Sequence, residues 1–174
     1  MMNKAIPTNI IRFIIILLAQ VLIFKHITFG LGGTTYVHFI VYPLAILLFP
    51  IKTSRVILLF AAFTMGMIVD VFYDSIGIHA AALVLTAYIR NIVIALLEPF
   101  EGYNLDDVPT ISNMGFGWFM SYLSITLLIH TFVYFSIEAF SFVFFFEIFL
   151  NTIFSFIFSF ILIILTQFIF STKY

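Results

Sequence analysis

The sequence predicts an all-α membrane protein, a single bundle of six transmembrane helices over residues 1–174. Three observations carry this. Of the 174 residues, 64% are hydrophobic and 9% are charged, with a mean hydropathy of +1.24. A soluble domain has roughly 45–50% apolar and about 25% charged residues, and no core of this size hides such an excess. The apolar residues also fall in runs close to the ~20 that a bilayer crossing needs. Short polar, glycine or proline punctuation separates those runs. Net charge is −1 and pI about 6.4, so no global field attracts nucleic acid. Cysteine is absent, which excludes disulfides, thiol catalysis and thiolate metal sites.

The first span is expected at 9–24, ended by Lys25 and His26. Lys4 and Arg12 precede its apolar run as the basic region of a signal peptide would, but no small-x-small cleavage pattern follows. It therefore reads as an uncleaved span that also directs insertion. Residues 30–35, GLGGTT, read as a flexible turn. The second span, 36–49, is marginal in length, and Pro43 inside it predicts a kink. Pro50, Lys52 and Arg55 close it and open the third, 54–72. Gly77 breaks that helix and His79 opens the fourth, 79–97. The loop 98–112, EPFEGYNLDDVPTIS, is acidic, with Glu98, Glu101, Asp106 and Asp107. The fifth span is expected at 114–135. The sixth is expected at 144–170, a length that implies tilt or an interfacial first turn. With both termini cytoplasmic, Lys4, Arg12, Lys52, Arg55 and Lys173 lie inside and Lys25 outside, as the positive-inside rule prefers. The acidic loop is then cytoplasmic.

The chain is organised around 66–91, GMIVDVFYDSIGIHAAALVLTAYIRN. Helical spacing puts Gly66, Asp70, Tyr73 and Asp74 on one face, and His79, Leu83, Thr86 and Arg90 on another. Asp70 lies about one turn from the outer end of its span. It either reaches headgroup water or makes a helix-packing or partner contact, with Gly66 allowing close approach. Arg90 lies roughly 10 Å from the inner end of its span. Inward snorkelling opposes the lean of helical side chains, so a partner within the bundle is expected. Backbone carbonyls, Tyr88, Asn91 or an acid of the following loop are in reach. Asp70 is more than ~10 Å away in depth.

His79 reads as a capping or interfacial histidine near Asp74, and His130 as one bonded to a neighbour. Glu138 reads as solvated and Glu147 as intramembrane. No His, Asp and Glu set has metal-ligand spacing on one helix, and no GxSxG, HExxH, P-loop or GxGxxG occurs. The expectation is a non-enzyme with no cofactor and no metal.

Gly66, Asp70, Gly77, His79, Ala80 and Arg90 form a pattern that resembles the MreD family of bacterial rod shape-determining proteins. That family has a glycine, an aspartate about four residues on, a glycine turn, a small residue or histidine, and an alanine-rich helix ending in arginine. The motif covers about a seventh of the chain; length and charge bias fit over all of it. The resemblance implies a scaffold in the cytoplasmic membrane that binds a bitopic MreC-like protein. Through that protein it would connect to an MreB-like filament and to a RodA-type glycosyltransferase with its transpeptidase. It also implies a bundle similar to the substrate-binding subunits of energy-coupling-factor transporters. The chain departs from the family in having an acidic rather than a strongly basic cytoplasmic loop.

A vitamin-binding subunit of such a transporter is the rival from another class. It would present a small-xxx-small face on its first span, but IIRFIIILLAQVLIF has one alanine and no such spacing. A proton-coupled carrier using Asp70 and Arg90 would show paired broken helices in two halves, and the sequence has no internal symmetry. Membrane lipid surrounds the bundle under each reading. Whether copies form a homo-oligomer is left open.

Overall fold

A computed structural model describes residues 5–31, 34–104 and 107–170. The first helix, α1, is Ala5–Leu22, followed by a single 3-10 turn at Phe24–His26. Two strands come next, β1 (Thr28–Leu31) and β2 (Thr34–His38), paired antiparallel with a bulge between Phe29 and Gly30. A five-residue helix, α2, covers Pro43–Leu47. Two 19-residue helices follow, α3 (Arg55–Tyr73) and α4 (Ile78–Leu96). The short α5 (Ile111–Met114) leads into α6 (Phe116–Ala139) and α7 (Phe145–Phe170). Four of these helices, α3, α4, α6 and α7, are long and apolar enough to cross a membrane.

Local chemistry sets the ends of the elements. Ser54 caps α3 by accepting a hydrogen bond from Ile57 N at 3.3 Å. Asp74 ends α3 in the left-handed conformation, φ 54°, one of the few non-glycine types that tolerates it. Gly77, φ 77°, makes the turn into α4. α3 packs on α4, α4 on α6, α6 on α7, and α7 on β2, while α1 lies against α2 and α3. Outward faces are apolar: Val56, Phe60, Val71 and Leu96 are all at least 70% exposed, as lipid-facing side chains are.

Over 36–49 the structure differs from the expected spanning helix, and it adds a hairpin to the expected all-α fold. β2 ends at His38, residues 39–42 are irregular, and only Pro43–Leu47 is helical. Length gives the physical reason. Fourteen helical residues rise about 21 Å at 1.5 Å each, short of the ~30 Å hydrocarbon core. Partly extended chain gains up to ~3.3 Å per residue, so extension makes up what a helix of this length lacks. Pro43, with no N–H, sits at the first helical position, where none is needed.

The segment 40–48 is buried throughout. Ile40, Tyr42, Ala45 and Ile46 pack among α3, α4 and Phe135, whereas Val41, Leu44, Leu47 and Leu48 pack among α4, α6 and Ile163. It is a wedge between the two halves of the core. The loop expected at 30–35 is largely the hairpin; Gly32 and Gly33 lie outside the described residues.

Candidate functional site

Among the described residues, interior polar side chains gather at two places, the α3–α4 turn and the buried wedge, while others such as Thr126 and Thr131 bond within their own helix. At the turn, Gly66 faces α4. A Cβ there would lie 2.3 Å from Ala80 Cα and 2.7 Å from Ala80 N, so the two backbones touch at this point. One turn further on, Asp70 is 2% exposed. Its Oδ1 accepts from Ser75 Oγ (2.6 Å), His79 N (3.0 Å) and His79 Nδ1 (2.9 Å), and its Oδ2 from Ala80 N (3.0 Å). These N–H groups belong to the first turn of α4, which no side chain from its own N-cap, Gly77, satisfies. Asp70 therefore caps α4 from α3, with its negative charge at the positive end of the helix dipole. The Gly66–Asp70 face is turned inward against α4, not open to another protein's helix. Asp74, on the expected face, is exposed and serves as the C-cap of α3.

His79 is 3% exposed and lies within a box of tyrosines. Ring centroids are 4.8 Å from Tyr73, 4.9 Å from Tyr134 and 5.6 Å from Tyr42. Tyr134 donates to Glu138 Oε1 at 3.3 Å, which ties that half-buried acid to the box rather than leaving it free in solvent. Lys25 donates to Phe72 O at the C-terminus of α3 and lies 5.7 Å over the Tyr73 ring.

Along the wedge, side chains replace the missing helix bonds. His38 N donates to Ser155 Oγ (2.9 Å) and Ile40 N to Ser159 Oγ (2.8 Å). Val41 N and Tyr42 N both donate to Gln20 Oε1, at 2.8 and 3.2 Å. Gln20 Nε2 donates to Phe39 O (2.9 Å) and Tyr73 OH (2.8 Å). Further along, Tyr122 donates to Leu47 O at 3.0 Å. Irregular backbone at bilayer depth persists only where protein groups satisfy it, and these side chains do so.

Arg90 belongs to this second group. It is fully buried, and its Nη2 donates to Phe49 O and, at 3.4 Å, to Pro50 O; Nη1 donates to Asn91 Oδ1 at 3.3 Å. No acid is among these partners. Of the expected alternatives, the backbone carbonyls and Asn91 hold it, and Asp70 does not.

His130 links wedge and bundle. Thr86 Oγ1 donates its one proton to Ala82 O (2.8 Å), so His130 Nδ1 donates to Thr86 Oγ1 (2.8 Å). His130 Nε2 then accepts from Tyr42 OH at 2.8 Å. Each proton is used once, in a single neutral tautomer. Among the described residues no three His, Asp or Glu side chains could hold one metal ion.

At the opposite end of the bundle, Glu98 and Glu101 are exposed and Asp107 is half-buried, its carbonyl accepting from Ile51 N at 3.0 Å. Asp106 lies outside the described residues. Tyr103 donates to Ile94 O (2.8 Å), and Trp118 Nε1 donates to Leu97 O (2.9 Å) and Tyr103 OH (3.0 Å), so this end of the loop is folded onto α4 and α6. Burial and the nearby Glu98 raise the Tyr103 hydroxyl above its ordinary range, against the Trp118 hydrogen bond.

The sequence reading singled out Asp70, His79, Arg90 and His130 but not Gln20, Ser155, Ser159, Tyr42 or Tyr122. The one signal for Ser155 and Ser159 was their i, i+4 spacing in a phenylalanine-rich run. No protein-family model matches the chain, and no curated protein or solved structure matches it either.

Proposed function

We propose that this chain is a non-enzymatic scaffold of the bacterial cell-elongation complex, set in the cytoplasmic membrane with both termini inside and bound to an MreC-like bitopic protein. One observation carries the proposal. Gly66, Asp70, Gly77, His79 and Ala80, which carry the resemblance to MreD proteins, form one clamp between α3 and α4. Arg90, the last residue of the pattern, ties α4 to Phe49 and Pro50. Such a motif supplies a rigid helical hairpin, which is what a scaffold offers a partner. The partner meets the apolar exterior, because the motif's own face is filled.

The transporter reading would need a pocket of polar and aromatic groups. The tyrosine box has that composition, but Tyr42, His79 and Tyr134 fill it with their own rings and are each no more than 5% exposed. Affinity purification in mild detergent, with identification of what is retained, tests the proposal. Recovery of a bitopic MreC-like protein is expected. Recovery of a transport ATPase, or retention of a radiolabelled vitamin, would replace the scaffold with the transporter subunit.

A further inference from the structure

A groove runs between the first turn of α3 and the second half of α4, lined by Arg55, Leu59, Ala87, Tyr88, Asn91 and Ile92, and it holds about 40 Å³. Its polar groups are donors. Arg55 is exposed, and its guanidinium has no hydrogen-bond or ion-pair partner among the described residues. Asn91 Oδ1 is taken by Arg90 Nη1 at 3.3 Å, which leaves the amide N–H groups to face away from that contact. Tyr88 adds a hydroxyl, and no acid lines the groove. The floor, Leu59 and Ala87, is apolar, and the exposed Ile92 forms its rim.

Position narrows the ligand. Arg55 is the first residue of a membrane-length helix, so the groove lies at headgroup depth at that end of the bundle. It opens sideways between two helices whose outer residues, Val56 and Ile92, are exposed and apolar. A soluble anion would leave that apolar flank empty, whereas a lipid covers it with its chains. We propose that this groove binds the phosphodiester of an anionic membrane lipid, held by Arg55, Asn91 and Tyr88, with the acyl chains along Leu59 and Ile92.

Native mass spectrometry of the detergent-purified protein, offered phosphatidylglycerol and phosphatidylcholine at equal concentration, tests this. Wild type should retain the anionic lipid roughly fivefold over the zwitterionic one, the size expected of one arginine at a charged surface. Arg55→Gln, at an exposed position that leaves the fold intact, should abolish the preference. Tyr88→Phe should weaken retention of both lipids, which share the phosphodiester, and Lys25→Gln at the other end of the bundle should leave the preference unchanged. Equal retention of the two lipids, or an undiminished preference in Arg55→Gln, would overturn the proposal. Displacement of phosphatidylglycerol by inorganic phosphate would overturn it too, by making the groove a site for a soluble anion.

Discussion

Asp70 accepts four hydrogen bonds, three of them from residues of α4. Asp70→Ala removes a cap, which costs about 0.5–2 kcal/mol, and strands buried donors at about 1–3 kcal/mol each. The cap cost already contains part of that stranding, so the expected loss is about 2–4 kcal/mol, read as a lowered unfolding midpoint in detergent, with Asp70→Asn less severe because one acceptor oxygen remains. Gly66→Ala should separate α3 from α4, since the added methyl would sit 2.3 Å from Ala80 Cα. Gly117→Ala is the matched control. It meets nothing within 4 Å and gains up to about 1 kcal/mol of helix propensity. Folded yield after gel filtration separates the two. At Arg90, leucine keeps volume and removes a buried charge, whereas alanine also leaves a cavity. Arg90→Ala should therefore unfold at a lower temperature than Arg90→Leu, with a cost of about 2–5 kcal/mol.

The wedge 40–48 and its flanks depend on donors and acceptors brought from far along the chain, which leave no local signal in the sequence. Ser155 and Ser159 reach His38 and Ile40 across 117 and 119 positions. A serine within an apolar run gives no sign that it serves a distant backbone. Gln20, alone among isoleucines and leucines, was equally silent about Val41 and Tyr42. By contrast α3 and α4 were legible, because Pro50, Ser54 and Gly77 punctuate them and Asp70 and Arg90 are out of place in lipid. Even there the sequence left Asp70 between headgroup water, helix packing and a partner contact, since helical periodicity gives the face but not its neighbour. Ser159→Ala should strand Ile40 N–H, and Gln20→Leu the N–H groups of Val41 and Tyr42. Hydrogen exchange at residues 39–42 should quicken about tenfold for each 1.4 kcal/mol lost, while α4 exchange stays slow. The folded loop makes its own prediction. The Tyr103 hydroxyl favours its protonated form in the folded state, so its contribution is intact below its ordinary range and is lost as pH rises through the raised value. The absorbance difference between wild type and Tyr103→Phe should therefore show that phenol ionising later than a free tyrosine.

For the whole molecule, the absence of cysteine lets single reporters be placed freely. In the proposed orientation, a cysteine at the exposed Ile76 should label from outside intact cells and one at the exposed Glu101 should not. The reverse pattern would invert the bundle and move the acidic loop outside. Under the proposed function, the buried polar groups serve the bundle's own backbone and side chains, and the partner meets the exterior. Partner capture per folded molecule tests it most directly. An MreC-like bitopic protein is co-expressed with wild type, Asp70→Ala and Arg90→Leu, and its recovery is divided by the amount of monodisperse bundle. Both variants should lose folded yield while recovery per folded molecule stays at the wild-type level. Wild-type folded yield with a fall in recovery per folded molecule would contradict it, and would make Asp70 or Arg90 a contact for the partner.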